Sequence, residues 1–252
     1  MIRILAFFVL LVLAAPVYAA GEAKTPPNID WSFEGPFGTF DRGALQRGYK
    51  VYKQVCASCH GMDQLAYRHL TDIGFSEAQV KAIASQDFVV DGPNDEGEMF
   101  ERPARPSDYF PDPYKNEEEA RYVNNGAYPP DMSLIVKARP HGADYIKALL
   151  LGYEDPPEGV KLRTGQYWNK YMPGHKIAMP PPLTTDGLVE YDDGTVATRE
   201  QMARDVAHFL AWASNPEMEE RKQMGWKFLL YMLVFAGVLY GAKKQIWKRL
   251  KA

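Results

Sequence analysis

Apolar residues recur at helical spacing in several stretches of this chain, each with its own start and stop signals. Leu45, Tyr49, Tyr52 and Val55 form one stripe in "RGALQRGYKVYKQV", with Asp41 ahead of it as a helix cap. Met202, Val206, Phe209, Leu210 and Ala213 form another. Thr198 and Gln201 open that helix as a capping box, and Asn215-Pro216 closes it. Shorter helices are predicted over "NEEEARYVNNG", capped by Asn116 and ended by Gly126, and over "GADYIKALLLGY", residues 142–153. Residues 85–115 are rich in Pro, Gly and acid and read as a long ordered loop; residues 154–185 are again Pro-rich and irregular. The alternation around Asp193-Gly194 in "LVEYDDGTVAT" predicts one small β-hairpin. The body is therefore mainly α, with long loop insertions between short helices. Gly48 and Tyr52 on the first helix, facing Phe209 and Trp212 on the last, offer a close helix crossing.

The two ends are apolar in a different way. Arg3 is followed by "ILAFFVLLVLAA", and Val17 and Ala19 suit the −3 and −1 positions of a cleavage site, so residues 1–19 read as a secretory signal. Near the other end, Phe228–Ala242 is an uncharged run of 15 residues, and adding Gly225–Lys227, with Lys227 snorkelling at one end, gives 18. At ~1.5 Å per residue the longer stretch is roughly 27 Å of helix, close to the hydrocarbon thickness of a bilayer. Trp226 and Tyr240 suit its interfacial belts. "KKQIWKRLK" follows with five basic residues and no acid, which places the C-terminus in the cytoplasm. The expected organisation is a signal over 1–19, an exported domain over 20–221, and an anchor with a basic tail over 222–252.

Charge divides along the same boundaries. The whole chain has a formal charge of −3, yet residues 20–221 hold 21 basic and 32 acidic residues, a net −11. An anionic exported body argues against nucleic acid and suits a cationic partner.

The chain has two cysteines, both in "VCASCHGM". Three chemistries compete for Cys56, Cys59 and His60. A thiol–disulfide site would follow a strand, whereas here a helix precedes the pair. Zinc would draw two further ligands from scattered histidines, without a second pair at zinc spacing. Covalent haem matches the motif C-x-x-C-H outright: each thiol adds to one vinyl group and the histidine lies under the iron. Haem c, one per chain, is the favoured reading. For the sixth ligand, Met179 in "HKIAMPPPL" stands out, because the prolines after it stiffen the loop that presents its thioether. His141 and His175 are the alternatives; His69 and His208 read as packing residues.

The chain resembles the cytochrome c1 family, the haem subunit of ubiquinol–cytochrome c oxidoreductase (the cytochrome bc1 complex). The stretches that carry the resemblance are "GYKVYKQVCASCHGM", "DGPNDEGEMFERP", "SDYFPDPY", "NNGAYPPDMS", "KARPHGADYIKALLLGY", "IAMPPPL", "DDGT" and "MGWKF", in family order from about residue 31. The resemblance implies a cytochrome c-like haem domain on a single transmembrane helix. It implies iron ligation by His60 and Met179, thioethers to Cys56 and Cys59, and Arg139 at a haem propionate. Asn124, Pro130 and Tyr145 match positions that line the family's haem pocket. In place of the family's frequent Arg-His pair this chain has Arg139-Pro140-His141.

It further implies a one-electron relay in a dimeric complex, from the Rieske iron–sulfur protein to cytochrome c, beside cytochrome b, with the haem domain on the periplasmic side of a bacterial inner membrane. No catalytic acid, base or nucleophile is expected. Asp91, Asp95, Glu96, Glu98, Glu101, Asp108 and Asp112 are candidates for steering a basic cytochrome c; a solvated loop is the plainer account of the same charges. The competing functions are another membrane-anchored c-type cytochrome and a tethered thiol–disulfide oxidoreductase.

Overall fold

A computed structural model describes residues 23–250; the predicted signal lies outside the described residues. The first helix, α1, spans Arg42–Val51, and the Asp41 carboxylate accepts from the Ala44 amide at 3.1 Å, as the cap reading requires. The helix then widens into a π-turn over Tyr52–Cys56, where the Ala57 amide reaches back to the Tyr52 carbonyl. A π-turn adds one residue to the register. Cys56, not Val55, therefore takes the buried side, and Val55 of the expected stripe is only half-buried.

A 3-10 helix (Tyr67–Ile73) and α2 (Glu77–Ala84) follow, then α3 (Glu117–Val123), α4 (Gly142–Leu151), α5 (Arg199–Ala213) and α6 (Met218–Leu250). Asn116 caps α3 and Thr198 caps α5, each accepting from the amide three residues on. At α5 only half of the capping box forms, because the Gln201 amide turns to Asp205 instead.

The crossing of α1 and α5 organises the core. A Cβ on Gly48 would stand 2.1 Å from the Asp205 carbonyl oxygen and 2.6 Å from the Phe209 Cβ, so only glycine permits this approach. Tyr49 and Tyr52 both pack on Phe209 with ring centroids 5.8 Å apart, and Phe209 packs on Trp212 at 5.6 Å. Arg47 spans the crossing to the buried Asp205 at 2.9 Å. α4 packs on α5 from the side, and one apolar cluster joins Tyr52, Cys56, Met62, Tyr145, Phe209 and Trp212.

The β-structure lies elsewhere than predicted. Residues 188–198 form turns, not a hairpin. There the Asp193 carboxylate accepts from the Thr195 amide and pairs with Arg47, and these side-chain bonds displace a strand ladder. The expected loop over 85–115 instead contains an antiparallel hairpin, β1 (Phe88–Asp91) with β2 (Phe100–Pro103), Phe88 opposite Pro103 and Asp91 opposite Phe100. Its eight-residue connection hid it from a search for tight turns. A second pair, β3 (Tyr167–Trp168) with β4 (Lys176–Ile177), folds the segment before Met179.

α6 leaves the domain as one helix of 33 residues, with its apolar window wholly exposed and a mean hydropathy of 1.5. The charged turn ahead of the apolar run belongs to the same helix.

Candidate haem site

Cys56, Cys59 and His60 sit where the π-turn unwinds. The amides of Cys59 and His60 both bond to the Cys56 carbonyl, which coils the motif into one tight turn. Both thiols are unpaired, with Cys56 buried and Cys59 half-buried. Burial, then the neighbouring Cys59, push the Cys56 thiol up to about 12. A raised pKa leaves the Cys56 thiol protonated and a poor nucleophile. Among the described residues no group of three His, Cys, Asp or Glu side chains is placed to bind a metal.

His60 is buried, and its Nδ1 lies 2.8 Å from the Pro130 carbonyl oxygen. With Nδ1–H donated there, Nε2 keeps its lone pair for a metal. Burial holds the imidazole pKa below its ordinary value, which favours the neutral, ligating form. The segment carrying Pro130 is itself braced. Met132 N–H donates to the Gly61 carbonyl at 2.9 Å; the Asp131 carboxylate accepts from the amides of Asp63 (2.9 Å) and Ser133 (2.8 Å); the Gln64 amide donates to the buried Ser133 hydroxyl at 3.0 Å. Asn124 enters through Tyr114: its Nδ2 donates to the Tyr114 oxygen at 2.9 Å, and that hydroxyl also faces Cys59.

The remaining predicted residues form a second group. Met179 is half-buried, and the Tyr153 hydroxyl donates to its carbonyl oxygen at 3.0 Å. Tyr153 is held in turn by a bridge to Asn169, a fully buried amide that donates to the Leu149 carbonyl and accepts from the Tyr171 amide. Tyr145 is buried, and its hydroxyl donates to the Met172 sulfur at 3.7 Å. Arg139 is exposed; its guanidinium donates to the Ala138 carbonyl, and its charge opposes burial in setting the Tyr145 pKa. No hydrogen bond joins this group to the Cys56–His60 turn among the described residues; the shared apolar cluster connects them through Tyr145 and Cys56.

The other histidines divide as their positions suggest. His208 is buried and accepts from the Asp41 amide, and His69 accepts from the Ala66 amide; both serve local structure. His141 and His175 both occupy positive φ, and His175 stacks on Trp168 at 4.6 Å. Sequence reasoning missed Tyr114, Asp131, Ser133 and Tyr153. Asp131 was within reach, since Asp-x-Ser after proline is an Asx-turn signature; the tyrosines carry no local signal.

In the acidic loop, Asp91 and Asp108 both pair with Arg102. Asp95, Glu96, Glu98 and Glu101 are exposed and have no ion-pair partner among the described residues.

A helical domain that ends its first helix in a buried C-x-x-C-H turn and continues into one long exposed apolar helix defines a membrane-anchored haem protein of the c type. The chain belongs to the cytochrome C1 family, whose sequence profile matches residues 31–250. It is 52% identical over 244 residues to "Cytochrome b/c1" of Bradyrhizobium diazoefficiens, covering 88% of this chain and 35% of that longer protein. It is 51% identical over 228 residues to "Cytochrome c1 2, heme protein, mitochondrial" of Arabidopsis thaliana (90% of this chain, 73% of the relative). It is 44% identical over 238 residues to "Cytochrome c1" of Rhodospirillum rubrum (88% and 87%). The family's members are haem-bearing electron carriers of the cytochrome bc1 complex, so the cofactor and the broad function read from the sequence stand.

Proposed function

We propose that this chain takes one electron from a Rieske iron–sulfur protein and passes it to a cytochrome c, as a subunit of a dimeric quinol-oxidising complex that includes cytochrome b. A signal over 1–19 and the basic C-terminal end of α6 support a single-pass protein of a bacterial inner membrane, with its haem domain periplasmic and its C-terminus cytoplasmic. The observation that carries the reading is the His60 imidazole, buried and oriented through Nδ1 by Pro130 on the rim of the cysteine turn.

When bound, haem c supplies a one-electron Fe(III)/Fe(II) couple. Cys56 and Cys59 would hold it covalently, and His60 Nε2 and the Met179 sulfur would hold its iron. Asp131 and Ser133 keep the Pro130 carbonyl in place and so fix the imidazole. Tyr153 holds the backbone of the Met179 loop. Of the two methionines on this side, Met172 already accepts a hydrogen bond at sulfur, which leaves Met179 the freer thioether. Arg139 would pair with a propionate, and Asn124, Pro130 and Tyr145 would line the pocket.

The test is a redox difference spectrum of membranes containing the chain, reduced by ubiquinol with and without a quinol-site inhibitor. An inhibitor-sensitive c-type band, lost when Cys56 and Cys59 are replaced, supports the reading. Covalent haem that quinol never reduces would move the protein to another respiratory enzyme. Met179→Leu should abolish thioether ligation while Met172→Leu retains it.

A further inference from the structure

The root of α6 is fastened to a turn far away in sequence. Lys222 on its second turn donates to the carbonyls of Phe33 (2.7 Å) and Gly38 (2.9 Å). Glu219, one turn earlier, accepts from the Phe40 amide at 2.6 Å and pairs with Arg42 at 2.8 Å. The turn itself is closed by bonds from Glu34 N–H to the Trp31 carbonyl and from Thr39 N–H to the Ser32 carbonyl. A Cβ on Gly38 would lie 1.9 Å from the Glu34 carbonyl oxygen, so the loop has no room to relax at that point. Behind it, Phe33 packs against Trp31, Phe40 and His208, with centroids 5.0–5.5 Å away, which roots the turn in the domain core.

At the tip of this rigid turn stands Phe37, 75% exposed. Its ring lies parallel on that of Trp226, with centroids 5.0 Å apart and planes inclined by 2°. Trp226 is two residues ahead of the uncharged run Phe228–Ala242, where a membrane-spanning helix carries its interfacial aromatic. Stacking on Trp226 sets Phe37 at the same depth along α6. Arg221 and Lys227 flank that level with cationic groups suited to lipid phosphates.

We infer that the turn Glu34–Gly38 is a second membrane contact of this protein, with Phe37 seated in the lipid headgroup region beside Trp226. The occupant is lipid rather than another protein because the ring is continuous with the helix's own interfacial aromatic. The inference rests on α6 being a membrane span. Its consequence is orientation: a helix alone leaves its domain free to rock, whereas two contacts at one depth fix the tilt of the haem domain against the bilayer.

The experiment uses the full holoprotein in vesicles of phosphatidylcholine with phosphatidylglycerol. Cys56 and Cys59 are consumed by haem, so an introduced cysteine is the single free thiol. A nitroxide goes on Pro36→Cys, which keeps Phe37; on Leu233→Cys, within the span; and on Val196→Cys, an exposed aqueous reference. Collision with oxygen, which favours lipid, is compared with collision with a water-soluble nickel chelate. The expected oxygen-to-nickel ratio at position 36 is several-fold that at 196, and it falls toward the 196 value when Phe37→Ser is added. A ratio at 36 equal to that at 196, while 233 reads as lipid, overturns the inference alone. An aqueous reading at 233 overturns the membrane span and the inference with it. Exclusion of both reagents at 36 means that protein covers the turn, and it also overturns the inference.

Discussion

Replacing Tyr153 with Phe deletes one oxygen and leaves the ring in place. That oxygen donates to the Met179 carbonyl at 3.0 Å, and burial pushes the phenol pKa above its ordinary value, so the group is a donor throughout the working pH range. Losing such a bond costs about 1 kcal/mol net, and up to about 3 if the carbonyl is left without a partner. The loss falls on the loop that presents Met179. In the proposed ligation the thioether raises the reduction potential, so loosening Met179 would lower it. For one electron, a tenfold change in equilibrium, about 1.4 kcal/mol, corresponds to about 59 mV. Tyr153→Phe should therefore lower the midpoint by some tens of millivolts and weaken the sulfur-to-iron charge-transfer band of the oxidised protein. Redox titration, that band and thermal unfolding are measured together on the purified holoprotein. A variant that loses about 1 kcal/mol in unfolding, yet keeps both midpoint and band, refutes the argument: the hydroxyl then supports the fold and not the ligand.

Asp131→Ala removes the acceptor of two backbone amides and should cost about 1–2 kcal/mol in chemical denaturation, with a midpoint shift that Asp131→Asn partly restores. For His208, burial, the largest influence, pulls the imidazole down to about 4 in the folded protein, against about 6.5 unfolded. Below pH 6.5 the unfolded chain binds the proton first. Stability should thus fall between pH 6.5 and 4 by up to about 3 kcal/mol, and His208→Gln should flatten that slope. Neutralising Asp95, Glu96 and Glu98 together should flatten the salt dependence of electron transfer to cytochrome c, and the same change at Asp91 and Asp108 should do less because Arg102 already screens them. An unchanged salt dependence would count against that loop as the docking surface.

Local signals in the sequence marked what depends on local chemistry. Asp41, Asn116 and Thr198 announced three helix starts, and the Gly48 crossing followed from one small residue opposite aromatics. C-x-x-C-H named the cofactor because its spacing is the chemistry. What stayed hidden is made by pairing across distance. Val55 was placed in the core because a uniform 3.6 period was assumed, and the π-turn gave that place to Cys56. The Asp193-Gly194 turn had a hairpin's residues, but Arg47 drew its carboxylate down onto α1. Tyr153 and Tyr114 reach the site from loops whose course is set by Asn169 and Asn124, and no periodicity records that.

The acceptor that orients His60 lies 70 residues further along the chain. In the proposed export, N-terminus first, the cysteine turn would cross the membrane well before Pro130, and Met179 later still. Loops of this length close without great entropic cost, so the delay is one of order rather than difficulty. In the proposed ligation the thiols would then be presented for attachment while the imidazole is unrestrained and before Met179 arrives. In the proposed ligation chain order would thus separate the bonding of the cofactor from the setting of its potential, which the fold completes only when α5 has docked on α1.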